Sequence, residues 1–428
     1  MTSGHEMNSS ERLTELAAES RNWFTTNWDP TLTLGQWWAA LAESGWGFPT
    51  WPAGSFGRSL NSDEAVVVDA QRRRVGALGP PRGIATMLAG PTLLTHGTPA
   101  QLDRYLPGIA TGEHIWCQLF SEPNAGSDLA SLRTRAERDG EQWIVNGQKV
   151  WTSGAHKASY GILIARTDPN VPKHRGITYF AIDMRQPGVE VRPLREMTGR
   201  AVFNEVFLTD AVVSNDAVIG DVNDGWRVAN TTLNNERSGL GNTAERGGGR
   251  LDIPDHELDA PIADILASAE EQLETDHLPR GHHLLAHLAR ELGRSGEPLV
   301  RDRVAAETVA GEVSRLSGMR IRAIAEEARR RGERVPPSPL VSVQKMAASK
   351  NLHSLGRALL DVEGPAGMLA PPDALIDDRA METIATAYMI SIGGGTDQIQ
   401  RNIVGERVLG LPGEPRVDKD LPFKDLPA

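Results

Sequence analysis

Apolar residues recur at helical spacing through the first hundred positions. Leu13, Leu16, Ala17, Ser20 and Phe24 share one face. Trp37, Trp38 and Leu41 predict a second helix, stopped near Gly45 and Gly47, and Trp46 to Gly57 reads as an irregular Gly/Pro-rich loop. Asn61 with Glu64 has the make-up of a capping box for a third helix, which Gly79-Pro80-Pro81 would end. Arg82 to about Ile109 is helix-rich. After Gly112 the pattern shortens to strands: His114–Phe120, Leu132–Arg138, Glu141–Val145, Gln148–Ser153, Tyr160–Arg166, Gly176–Met184, Val189–Leu194 and Asn204–Val213. Asp139-Gly140 and Asn146-Gly147 predict hairpin turns, because type I′ turns need positive φ at both central residues.

From Trp226 helix returns. Val300, Val304, Val309, Val313, Leu316 and Met319 line one long face, followed by Leu340–Val362, Ala374–Ile392 and an amphipathic Thr396–Leu409. Between the first two helices of this part, residues 245–300 are an excursion broken by Gly247-Gly248-Gly249, Pro254 and Pro261, with helical stretches at Ile262–Leu273 and His282–Leu292. It reads as a lid or an oligomer contact. The predicted fold is α+β and mostly α: a helical domain over 1–115, a small antiparallel β-barrel or sandwich over 116–222, and a helical bundle over 223–428.

Composition changes this picture little. The 428 residues carry 24% charged and 39% hydrophobic side chains, those of a globular protein with two or three domains. A net charge of -11 argues against a nucleic-acid partner. Cys117 is the only cysteine, so no internal disulfide forms, and its apolar neighbours suggest an inert core thiol. The polar N-terminus has no secretory h-region and no apolar run is long enough to span a bilayer, so a cytoplasmic location is expected. His282, His283, His287 and Glu291 could suggest a metal, but a solvated helix surface is the preferred reading and no metal site is expected.

Three segments carry chemistry: Gln118-Leu119-Phe120-Ser121-Glu122-Pro123-Asn124-Ala125-Gly126-Ser127-Asp128, Lys149-Val150-Trp151-Thr152-Ser153-Gly154, and Gly393-Gly394-Gly395-Thr396-Asp397-Gln398-Ile399-Gln400-Arg401. There is no G-x-G-x-x-G after a strand and no P-loop. Together, and in a helical–β–helical order that spans nearly the whole chain, the segments resemble the acyl-CoA dehydrogenases. The resemblance implies FAD as cofactor, an acyl-CoA thioester as substrate, an electron-transfer flavoprotein as electron acceptor, and a homodimer or homotetramer. It implies contacts to the flavin from Gln118, Phe120, Ser121, Gly126, Trp151, Thr152, Ser153, Thr396 and Gln398, and to the pantetheine arm from Ser127. Arg301, with Arg303 as rival, would reach a flavin pyrophosphate, and Gly364 would stand at the adenosine end, where the family's upstream glutamine is Asp361.

The family's late catalytic glutamate falls at Gly394, whose N–H can polarise a thioester carbonyl but cannot take a proton. A branch of the family carries the base earlier, and Glu236-Arg237 matches it. Glu236 is then the α-proton base, with a pKa expected to be raised by burial, and Arg237 lies near the CoA end. The alternative for Glu236 is an exposed helix carboxylate. Two alternatives to a complete dehydrogenase are a flavin oxidase of the same fold and a non-catalytic subunit of a hetero-oligomer.

Overall fold

The computed structural model describes residues 9–243, 257–275, 281–331, 340–369, 379–413, 415 and 418–426. Five helices come first: α1 (Ser9–Asn27), α2 (Leu34–Ser44), α3 (Ser62–Val75), α4 (Gly90–His96) and α5 (Pro99–Ala110). The predicted capping box opens α3: Asn61 Oδ1 accepts from Glu64 N at 3.0 Å and the Glu64 carboxylate accepts from Asn61 N at 2.8 Å. The helix ends at Gly76 (φ 79°), before the predicted Gly-Pro-Pro stop, because a left-handed C-cap closes the last turn first. Phe24, Leu34, Trp37 and Leu41 are fully buried together, each such side chain contributing about 1.5–3 kcal/mol.

Seven strands follow: β1 (Trp116–Leu119), β2 (Arg135–Asp139), β3 (Gln142–Ser153), β4 (Tyr160–Arg166), β5 (Ile177–Asp183), β6 (Val189–Leu194) and β7 (Phe203–Ser214). They form one sheet in the order β1-β4-β2-β3-β7-β6, with β5 on β4. It is not purely antiparallel: β1 runs parallel to β4, and β2 meets β4 in one parallel bridge. The Asp139-Gly140 hairpin is present, with Asp139 opposite Gln142. The Asn146-Gly147 turn is not. There β3 runs straight through a bulge, pairing β7 on both sides of it. Asn146 spends its side chain on Asp210, accepting from its N–H and donating to its carboxylate, both at 3.0 Å. Gly147 is required for closeness, since a Cβ would lie 2.4 Å from Thr134 Oγ1. Long-range pairing outweighed local turn preference.

The remaining helices are α6 (Gly225–Thr243), α7 (Ile262–Thr275), α8 (His282–Glu291), α9 (Pro298–Arg330), α10 (Leu340–Glu363), α11 (Arg379–Ile392) and α12 (Asp397–Ile403). The start of α7 is no free lid. Leu34 N and Gly35 N donate to Ala260 O and Leu258 O, Ile262 N donates to Leu32 O, and Ile262 and Ile265 join the α1–α3 core. Helix α8 packs with α9 and α10 through Leu284, Leu285, Leu288, Val300 and Leu359. On α9, Val300 is buried, while Val309, Val313, Leu316 and Met319 face outward.

Candidate active site

Helix α6 buries the stripe Gly225, Val228, Ala229, Thr232, and Glu236 continues it one turn on. Gly225 lets the helix start against β5; a Cβ there would lie 2.5 Å from Thr178 C and 2.6 Å from Tyr179 N. Further along, the half-buried Glu236 reaches β1: Gln118 Nε2 donates to Glu236 Oε2 at 3.3 Å. Strand alternation explains the geometry. Cys117 and Leu119 point into the core, so Gln118 points the other way, toward α6.

The loop after β1 is fixed by charges that sequence reading passed over. Lys149 is fully buried and donates to Glu122 Oε1 at 2.8 Å and to Phe120 O at 3.1 Å. The Glu122 carboxylate also accepts from Arg133 N (2.6 Å) and Thr134 N (2.9 Å). Burial pushes the Glu122 carboxyl up, but Lys149 and these donors outweigh it and hold it below its usual range. A signal existed: Lys149 occupies an inward position of β3, in the same alternation as Trp143 and Val145.

These bonds bring the two flavin-like segments together. Val150 N donates to Ser121 O at 2.9 Å. Phe120 is buried edge-on to Tyr179, Ser121 is half-buried, and Gly126 and Ser127 are exposed. At the second irregularity of β3, Trp151 adopts φ 61° and is 58% exposed, with its ring edge-on to Phe203. Thr152 beside it is buried and Ser153 half-buried. Asn204 Nδ2 donates to Thr152 O at 3.0 Å, yet Thr152 Oγ1 and Asn204 Oδ1 are buried with no hydrogen-bond partner among the described residues. An exposed indole on a strained backbone, two residues from the half-buried Ser153 hydroxyl, fits a flat, polar-edged ring such as a flavin.

The other expected site residues lie on the C-terminal helices. Arg301 is exposed in the first turn of α9, and its rival Arg303 pairs with Asp361 at 2.8 Å. Gly364 (φ 62°) follows α10. Gly394 and Gly395 have φ 64° and 85°, a conformation that suits glycine, and Gln400 Nε2 donates to Gly394 O at 2.9 Å. Thr396 Oγ1 caps α12 by accepting from Ile399 N. Asp397 ties the turn to α10 through Lys345 and Ser349, both at 2.8 Å, and Gln398 is exposed. The Arg237 side chain lies outside the described residues. Among the described residues no His/Cys/Asp/Glu group is arranged to hold a metal, and no helix is long and apolar enough to cross a membrane.

Three family models match in chain order: acyl-CoA dehydrogenase N-terminal domain over 10–113, middle domain over 117–211 and C-terminal domain over 279–409. The acyl-CoA dehydrogenase IpdE1 of Mycobacterium tuberculosis is 36% identical and is covered over 88% of each chain. FadE34, an acyl-CoA dehydrogenase of the same organism, is 40% identical over 87% of this chain, which spans only 46%, about half, of that relative. Among solved structures, the Tcur3481-Tcur3483 steroid ACAD is similar with a TM-score of 0.68 at 27% identity, covering 95% of this chain and 99% of that one. The ChsE4-ChsE5 complex from Mycobacterium tuberculosis gives 0.63 at 26% identity, covering 96% and 100%. With its three domain matches in order and a relative this similar over nearly all of both chains, the protein belongs to the acyl-CoA dehydrogenase family, flavoproteins that oxidise acyl-CoA thioesters.

Proposed function

We propose that this chain desaturates an acyl-CoA thioester between its α and β carbons, with Glu236 as the base. The observation that carries the reading is the 3.3 Å contact from Gln118 to Glu236, which joins the only carboxylate of the α6 stripe to the strand leading into Ser121–Ser127. FAD, held by Gln118, Phe120, Ser121, Gly126, Trp151, Thr152 and Ser153, supplies a hydride acceptor when bound. Trp151 would cover the ring, and Thr152 or Ser153 would bond its polar edge. Glu236 takes the α proton, and Gln118 orients its carboxylate. Backbone N–H groups, that of Gly394 among them, stabilise the developing enolate oxygen. Ser127 and Arg237 would bind the CoA arm, Arg301 would reach the pyrophosphate of a neighbouring subunit's flavin, Gly364 would stand at the adenosine end, and Thr396 and Gln398 would contact the flavin. An electron-transfer flavoprotein takes up the electrons.

For the acyl group, we propose a bulky, ring-bearing one. The support is the steroid named for the Tcur3481-Tcur3483 structure, together with the small Gly394 where a glutamate would otherwise project. Both that structure and the ChsE4-ChsE5 complex carry two chain names, which supports a second homologous chain as partner. Anaerobic mixing with a panel of acyl-CoAs tests the reading. The parent should bleach its flavin and Glu236→Gln should lose at least about a hundredfold in rate, in the range of a lost general base; equal rates would remove Glu236 from the role.

A further inference from the structure

Three hydroxyls meet below Glu236, one from each part of the fold. Thr92 comes from α4, Tyr179 from β5 and Thr232 from α6. Their exposures are 1%, 1% and 0%. Thr232 Oγ1 shares a hydrogen bond of 2.9 Å with Thr92 Oγ1 and one of 3.0 Å with the Tyr179 hydroxyl. Each hydroxyl can donate once and accept, so Thr232 can bridge the other two and give all three a partner. Unpaired, each would be costly at this depth. Packing alone does not need them, since Val228, Ala229 and Leu233 already supply apolar contacts from the same helix.

We infer that Thr92, Tyr179 and Thr232 are a mount that sets the rotation of α6 and thereby aims Glu236; they are positioning residues for the base. This rests on the reading of Glu236 given above. Apolar packing resists separation but not rotation or sliding, whereas hydrogen bonds are directional. One residue of helical phase is about 100°, enough to carry a side chain off its face. Thr232 stands four residues before Glu236, on the same stripe, so a fixed azimuth at 232 is a fixed azimuth at 236. The adjacent Thr231 adds a second tie to α4, its hydroxyl lying 2.8 Å from His96 Nε2. Gln118 then meets the carboxylate from the far side. A base displaced by about an ångström can lose about a hundredfold in rate.

The test uses the FAD-loaded full chain and an acyl-CoA that bleaches the parent. Thr232→Val, which keeps shape and removes the hydroxyl, should slow bleaching by about 10- to 100-fold, with the apparent substrate dissociation constant unchanged within the error of the titration. Thr232→Ser should restore the parent's rate, and Tyr179→Phe should fall between. In the FAD-free chain, hydrogen exchange of the α6 backbone amides should quicken in Thr232→Val and not in Thr232→Ser. Parental bleaching and exchange in Thr232→Val, with only a lower melting temperature, would overturn the mount, as would equal slowing in Val and Ser variants. If Thr232→Val does not fold, Tyr179→Phe carries the same criteria. A Glu236→Gln variant separates the two claims: parental bleaching there overturns base and mount together, while its loss beside a parental Thr232→Val removes the mount alone.

Discussion

Around the sheet, apolar side chains point inward and several buried polar ones find partners on distant segments. Glu122 meets Lys149, Thr92 and Tyr179 meet Thr232, and Gln101 Nε2 donates to Asp216 O and Val218 O, both at 2.7 Å. Along α9 the pattern inverts. Val309, Val313, Leu316 and Met319 are 47% to 62% exposed, and on α11 Met381, Tyr388, Met389 and Ile392 are exposed as well. The first region closes on itself; the second presents apolar faces of a kind that marks protein contact surfaces. The contrast teaches that, among the described residues, the sheet region buries its apolar side chains while parts of α9 and α11 leave theirs exposed.

The sharpest break in the comparison is Lys149→Met. It leaves the Glu122 carboxylate buried without its cation and should cost about 3–5 kcal/mol in urea unfolding; adding Glu122→Gln should recover much of that. Next is Gly225→Ala, whose Cβ would meet the β5 backbone. It should cost about 1–3 kcal/mol by overpacking and lower the bleaching rate by shifting α6. Acid is a milder probe. Glu122 is held below its ordinary 4.5 in the folded chain, so the unfolded state binds the proton more readily. Its contribution is therefore complete above about pH 4.5 and lost as pH falls through the lower folded value. Melts recorded from pH 6 to 3 should show this acid limb, flattened in Glu122→Gln. The smallest effect on the isolated chain should come from Leu316→Glu, within about 0.5 kcal/mol of the parent, although sedimentation should show weaker association if that face meets a partner. A loss as large as that of Lys149→Met would mean the α9 face is internal after all.

Much of this was legible in the residues. Trp37, Trp38 and Leu41 announced α2, and Asn61 with Glu64 opened α3 as written, because such signals act within one helical turn. The short apolar runs covered all seven strands but split β3 in two at Asn146-Gly147, and of the pairings they gave only β2 with β3. The β1–β4 pairing joins residues 44 apart, Trp116 to Tyr160, in a parallel register that no local turn encodes. Asn146-Gly147 misled for the converse reason: its turn chemistry is local, and the β7 pairing that overrode it is not. The α9 periodicity was real, yet an apolar stripe does not say what covers it. In the site, the flavin-like segments stood out as contiguous motifs. Glu122–Lys149 and the Thr232 bridge to Thr92 and Tyr179 did not, since each joins ordinary residues from distant parts of the chain.

The seat of residues 257–265 between α1 and α2 carries its own consequence. Pro261 bridges Thr33, and Ile262 fills space beside Leu34. The amino-terminal helices and a segment from beyond the strands are thereby stitched together. Cutting the gene after the strands would strip a plug from the amino-terminal helices, so that fragment should expose a greasy notch and precipitate. Dividing this polypeptide for expression is best attempted elsewhere.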